Sequence, residues 1–294
     1  MVKVSKIDDV FMKVDCDDGL ARDLYDFFSY TVPNAKFMPS YRNKFWDGKV
    51  RLFSLKTKKI YIGLLPYVDE FCRERGFDFG GIEDVIGEKS NEKCSQEWLA
   101  DLKLPFEPRD YQIDAFNTAI QYGRQLLLSP TASGKSLIIY ALIRYYNLLL
   151  KDKKILILVP TTSLVEQMYS DFIDYGWNDK YLHRIYQGHE KDTDKPVIIS
   201  TWQSLYKLDK KYFENFGCVV GDEAHLFKSK SLTTIMTKLI NCKYRFGMTG
   251  TLDGTQTHRL VLEGLFGKVE KVTSTKQLMD KDTLANLKIK CLVL

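Results

Sequence analysis

One stretch of this chain leaves little freedom to the fold around it. The apolar run Gln125-Leu126-Leu127-Leu128 leads into Ser129-Pro130-Thr131-Ala132-Ser133-Gly134-Lys135-Ser136 and then into the apolar-rich segment Leu137-Ile138-Ile139-Tyr140-Ala141-Leu142. Strand, small-residue loop and helix in that order turn consecutive backbone N–H groups toward one point at a helix N-terminus, which suits phosphate. The spacing follows G-x-x-x-x-G-K-[ST], with Ser129 in place of the first glycine. In that pattern Thr131, Ala132, Ser133 and Gly134 wrap the phosphates, Lys135 reaches the β and γ groups, and the Ser136 hydroxyl ligates Mg²⁺.

Such a loop needs a sheet behind it, and the flanking sequence supplies one. From residue 109 onward, short apolar runs such as KILILV, PVIIST and GCVVG alternate with amphipathic segments. Continuous apolar runs bounded by turn residues read as strands buried on both faces, the requirement of a parallel sheet between helices. This half is predicted to be α/β.

Cys218-Val219-Val220-Gly221 ends in Asp222-Glu223-Ala224-His225. Carboxylates at the carboxyl end of a buried parallel strand lie on the rim where ligands bind. Asp222 can hold Mg²⁺ there, and Glu223 can orient or deprotonate an attacking water. Lys135, Asp222 and Glu223 are therefore the expected catalytic set, with Ser136 and Asp222 as metal ligands and ATP with Mg²⁺ as cofactor.

With both motifs in place, the chain resembles the superfamily 2 helicases of the DExH type over residues 105 to about 272. Arg109-Asp110-Tyr111-Gln112 is similar to the family's adenine motif, which implies that Gln112 reads adenine with Arg109 assisting. Val159-Pro160-Thr161 and Ser200-Thr201-Trp202-Gln203 resemble two strand-contacting motifs, which implies nucleic-acid contacts at Pro160, Thr161, Thr201 and Gln203. Thr249-Gly250-Thr251 stands where the family has serine-alanine-threonine, and the resemblance gives His225, Thr249 and Thr251 a coupling role. The segment from Phe37 to Phe53, FMPSYRNKFWDGKVRLF, narrows the likeness to the UvsW-type helicases of T4-like bacteriophages. The resemblance implies an ATP-dependent DNA helicase or translocase acting on branched DNA, duplex DNA or R-loops, with RNA as a partner in hybrids, in recombination, repair and replication.

Composition agrees and adds one local feature. In 294 residues, 45% are hydrophobic and 28% charged, which excludes a disordered or membrane-embedded chain. Six separated cysteines with no C-x-x-C pair read as reduced thiols of a cytoplasmic protein, in the host cytoplasm for a phage product. The net charge is only +5, yet residues 36 to 59 hold eight basic residues against the single acid Asp47. Tyr41, Phe45, Trp46 and Phe53 are interleaved with them, so cations for phosphates and rings for bases share the window. Arg42, Lys44, Trp46, Lys49 and Arg51 are the expected contacts. Asp47-Gly48 and the alternation that follows predict a basic β-meander over residues 36 to 61, placing Lys49, Arg51 and Phe53 on one face.

The expected layout is a small α+β DNA-binding domain over residues 1–95, a linker over 96–108, a RecA-like lobe over 109–272, and a linker over 273–294 toward a second lobe that this chain lacks. Residues 287–294 read as a strand, and no G-R-x-x-R pattern follows Thr251, so slow hydrolysis and no unwinding are expected of the chain alone. A nucleic-acid-binding or annealing module with a nucleotide-sensing lobe remains the alternative.

Overall fold

In a computed structural model, residues 1–86, 96–105, 107–252 and 256–280 are described. A four-stranded sheet occupies the N-terminal part: β1 (Val2–Lys6), β2 (Phe11–Asp15), β5 (Lys59–Tyr61) and β6 (Phe79–Gly80), in the order β5-β2-β1-β6. Between them, β3 (Ser29–Thr31) and β4 (Lys49–Arg51) form a separate antiparallel pair. The helices Asp18–Phe27 and Leu65–Glu74 bury Leu20, Leu24, Val68 and Phe71 against Val4, Met12, Val14 and Ile60. Asp17 caps the first helix by accepting the Leu20 N–H at 2.9 Å.

Among the described residues the second unit carries seven strands: β7 (Arg124–Leu128), β8 (Lys154–Val159), β9 (Leu182–Ile185), β10 (Val197–Thr201), β11 (Phe216–Gly221), β12 (Tyr244–Thr249) and β13 (Val269–Lys271). They lie in the order β13-β7-β12-β11-β8-β10-β9, and every pairing is parallel. Alternation within each apolar run explains why both faces are covered. In β8, Ile155, Ile157 and Val159 pack on the face of the helices Asp110–Tyr122, Lys135–Leu149 and Thr162–Asp174, while Leu156 and Leu158 pack on the other. The expected α/β lobe with a preceding α+β unit is what the chain forms.

The meander expected over residues 36 to 61 is not formed. Ala35–Phe37 and Pro39–Arg42 are short helical turns, β4 pairs back to β3, and β5 joins a different sheet. Tyr30 opposite Val50, and their common packing on the N-terminal core, set the register of β4. Alternation holds from Lys49 to Leu52 and then fails: Phe53 is buried in the core rather than beside Lys49.

Two stretches expected as linkers also carry structure. Gln96–Asp101 is helical, with Trp98 stacked on Phe116 of the lobe at 5.3 Å between ring centroids. Thr275–Asp280 is helical and buries Leu278. The polar stretch 87–95 and the strand expected at 287–294 lie outside the described residues.

The two units are docked without slack. The helix Gln256–Phe266 lends Leu260 to the N-terminal core, and its buried Glu263 accepts a hydrogen bond from the Tyr67 hydroxyl. Arg259 holds the other carboxylate oxygen at 3.3 Å. Gly63 lies so close that a Cβ there would stand 2.0 Å from the Glu263 carbonyl oxygen. Gly63→Ala should therefore cost about 1–3 kcal/mol by overpacking. Thermal unfolding should show it as a lower Tm together with faster proteolysis between the units; an unchanged Tm would mean that the contact yields freely.

Candidate nucleotide site and nucleic-acid surface

A parallel sheet ends all its strands on one edge, and the motifs gather there. Leu128 of β7 is paired with Thr249 of β12, Gly247 of β12 with Gly221 of β11, Gly221 with Leu158 of β8, and Val159 with Thr201 of β10. The loops leaving these strands are Ser129–Ser136, Gly250–Thr251, Asp222–His225, Pro160–Thr161 and Trp202–Gln203, in spatial order along the rim.

The loop after β7 is held from beneath. The Ser129 and Ser133 hydroxyls lie 2.6 Å apart, and the Ser133 hydroxyl donates to the Pro130 carbonyl at 2.6 Å. Both serines are buried, while Thr131, Ala132 and Gly134 face solvent. Ser129, the departure from the glycine pattern, thus fastens the loop base through its hydroxyl. Ala132 at φ 64° and Gly134 at φ 77° bend the loop through left-handed conformations.

Arg109, Tyr111 and Gln112 grip the same loop. Gln112 is 6% exposed; its Oε1 accepts the Arg109 N–H at 2.8 Å and its Nε2 donates to the Ser133 carbonyl at 2.9 Å. Tyr111 donates its hydroxyl to the same carbonyl at 3.0 Å, and Arg109 donates to the Tyr111 hydroxyl at 2.7 Å and to the Ala132 carbonyl at 3.4 Å. The sequence assigns Tyr111 no role; only its place between Arg109 and Gln112 marks it. The amide of Gln112 is largely committed to the loop backbone, so its described contacts tie the motif to the loop.

The acidic turn completes the centre. Glu223 adopts φ 51° and ψ 49°, a conformation unfavourable for a side chain with a Cβ. In that turn its carboxylate lies 3.3 Å from Lys135 Nζ and 3.4 Å from His225 Nδ1. His225 Nδ1 is also 3.1 Å from the Thr249 hydroxyl, which donates to the Thr251 carbonyl at 2.8 Å. A chain of contacts therefore runs from Lys135 through Glu223 and His225 to Thr249 and Thr251. Asp222 is buried and accepts the Glu223 N–H at 2.9 Å; burial raises its carboxyl above the usual range, and Lys135 opposes that shift. A buried carboxylate gains from a divalent cation, and Mg²⁺ is characteristically held by one or two carboxylates together with substrate phosphates, which also draw the neighbouring lysine away. Ser136, its expected co-ligand, stands at the start of the helix Lys135–Leu149 and lies near Asp171 of the helix Thr162–Asp174, whose carboxyl is raised by burial and lowered by Ser136.

Farther along the rim, Thr161 caps that helix by accepting the Leu164 N–H at 3.3 Å. Gln203 donates to the Pro160 carbonyl at 3.4 Å, and the Thr201 and Ser204 hydroxyls are 2.9 Å apart. Pro160, Thr161, Thr201 and Gln203 are thus neighbours, at the end of the rim away from the phosphate loop.

The basic window is a second, separate surface. Phe45 is 86% and Phe37 66% exposed, and Tyr41, Arg42 and Lys44 lie beside Phe45 around one concavity. Among the described residues Arg42, Lys44 and Lys49 make no ion pair, whereas Arg51 is paired with Asp47. Trp46 is half-buried and donates its indole N–H to the Lys49 carbonyl at 2.8 Å. Free cations and open rings are therefore concentrated at residues 36 to 49.

Residues 105–254 match the family described as type III restriction enzyme, res subunit, and residues 1–80 match DNA helicase UvsW, N-terminal. The chain is 35% identical over 305 residues to the ATP-dependent DNA helicase uvsW of Enterobacteria phage T4, along 100% of this chain and 60% of that relative. It thus spans about three-fifths of the length of this curated relative. A crystal structure of the UvsW helicase from bacteriophage T4 aligns with TM-score 0.81 and 34% identity over 92% of this chain and 99% of that one. The DNA 3'-5' translocase XPB2 of Sulfurisphaera tokodaii is 27% identical over 189 residues, 64% of this chain and 40% of that relative. No described helix is long and apolar enough to cross a membrane.

A Cβ on Gly134 would fall 2.3 Å from Gln112 Nε2 in a left-handed backbone. Gly134→Ala should cost about 1–2 kcal/mol for the backbone alone, plus the Gln112 clash. In urea unfolding, Gln112→Ala in the Gly134→Ala background should return part of that loss; strictly additive costs would show that the two residues do not press on each other.

Proposed function

Since the chain belongs to the superfamily 2 DExH helicases of the UvsW type, we propose that it is the ATP-binding and DNA-binding portion of an ATP-dependent DNA helicase or translocase. The observation that carries this is the contact chain Lys135–Glu223–His225–Thr249, standing between the phosphate loop and the rim of Pro160, Thr161, Thr201 and Gln203. It gives a γ-phosphate a means of altering the loops that face nucleic acid.

In this reading the backbone N–H groups of residues 131 to 134 and Lys135 bind the phosphates, and Arg109 and Gln112 read the base, for which Gln112 gives up one of its bonds to the loop backbone. Ser136 and Asp222 would hold Mg²⁺, which would supply charge neutralisation to the phosphates. Glu223 orients and deprotonates the attacking water; releasing Lys135 to the phosphates frees its carboxylate for that task. His225, Thr249 and Thr251 sense the change. Branched DNA and R-loops are the proposed substrates, because the exposed rings and unpaired cations at residues 36 to 49 suit strands that have left a duplex.

Lys135→Ala should remove binding of a fluorescent ATP analogue. Glu223→Gln should keep that binding and lower any hydrolysis by about 10²- to 10⁴-fold. Undiminished analogue binding by Lys135→Ala would reject the phosphate assignment. On the other surface, Arg42→Ala with Lys44→Ala should weaken duplex binding and reduce the slope of log K against log salt by about 0.9 for each phosphate no longer neutralised. Equal slopes for variant and wild type would remove these residues from the interface.

A further inference from the structure

A groove of about 810 Å³ runs between the two units, walled on one side by β4, β5 and the segment joining them and on the other by the helix Lys230–Lys238. None of the described residues lining it is acidic; Lys59 and Lys230 supply positive charge, while the third cation, Arg51, is paired with Asp47 just outside the lining. Its floor includes a stacked pair, Phe11 and Tyr61, with centroids 5.0 Å apart and planes inclined by 20°. Lys59 Nζ lies 4.3 Å from the Phe11 ring centre, and the Arg51 guanidinium 5.6 Å from that of Tyr25. Thr233, Thr234 and Thr237 line the helical wall. The ring faces are already engaged by each other, by Lys59 and by Arg51, so an occupant meets the rings by displacing these cations onto its own negative charge, which nucleic acid with unstacked bases can do while offering flat apolar surface in return.

The position of the groove fixes its use. Its lobe-side wall, the helix Lys230–Lys238, packs on the short helix Trp202–Leu205, which carries Gln203. Its other wall is β4, the strand that follows the exposed cluster at Phe37, Arg42, Lys44 and Phe45. The groove therefore lies between two surfaces that are otherwise separate, and neither of them contributes the helix wall.

We propose that this groove holds a single-stranded DNA segment and carries it from the rim at Gln203, across the helix Lys230–Lys238, to the basic cluster of the N-terminal unit. This rests on the DNA-binding function proposed for the chain and adds a path to it. The path also assigns work to the tight docking at Gly63 and Glu263, since a strand lying across two units is held in register only if they do not shift.

Lys230→Glu combined with Thr234→Glu places two carboxylates on the groove wall at helix positions that Glu suits, and neither residue belongs to the nucleotide site. Binding of a fluorescein-labelled 30-nucleotide oligothymidylate should weaken by roughly tenfold at low salt, with unchanged binding of the fluorescent ATP analogue. In the wild-type chain, a 5-iodouracil oligonucleotide should photo-crosslink to Phe11, Tyr25 or Tyr61. If Arg42→Ala with Lys44→Ala weakens oligonucleotide binding while the groove variant binds as wild type and no crosslink maps to these rings, the groove path is wrong and the DNA-binding function stands. If the groove variant loses only duplex binding, the occupant is a duplex and the proposal is overturned. If the wild type binds no DNA, the path and the DNA-binding function fall together.

Discussion

The seven described strands of the lobe run in one direction, and the remaining arrangement depends on that constraint. Parallel pairing brings the ends of β7, β12, β11, β8 and β10 to a common rim, so residues more than a hundred positions apart meet without any loop having to reach far. It requires strands apolar on both faces, which is why Ile155 to Val159 alternate between two cores instead of between core and solvent. The polar chemistry is confined to where the apolar run stops. Asp222, at the first position beyond β11, remains buried enough for its carboxyl to be raised.

The N-terminal unit is joined to this lobe by a shared core and not by a tether. Leu260 packs with Val4 and Phe71 in one cluster, while Tyr61 packs against the lobe's own core. Tyr67, Glu263 and Arg259 then satisfy a charge that would be costly to leave unpaired in that interface. A joint of this kind is what the proposed path needs, since it would let the basic cluster near Arg42 and the rim near Gln203 act on one strand.

The phosphate loop and the acidic turn are legible in the sequence because each is local: one strand, one tight turn, a few fixed offsets. Their mutual contact, Lys135 to Glu223, follows from the parallel sheet that the apolar runs imply. The fate of residues 36 to 61 is not legible. Asp47-Gly48 looks like a hairpin turn, but β4 finds its partner in Ser29–Thr31, and pairing over that distance is chosen by burial of Tyr30 and Val50. Phe53 departs from its expected face for the same reason, since period two holds only while the strand lasts. Gln112 shows another limit: the motif locates the residue, whereas its hydrogen bonds to the phosphate loop depend on how Asp110–Tyr122 packs. Ser136 near Asp171 and Gly63 against Glu263 are approaches between distant segments that leave no periodic trace.

If nucleotide at Lys135 and Glu223 and DNA along the rim and groove are energetically coupled through His225 and Thr249, the coupling is reciprocal. The most direct measurement is therefore the affinity of the chain for single-stranded DNA with and without saturating non-hydrolysable ATP analogue, together with the converse titration. The expected result is the same factor in both directions, and its disappearance in Thr249→Ala with each single affinity retained. DNA affinity indifferent to the nucleotide would contradict the coupling.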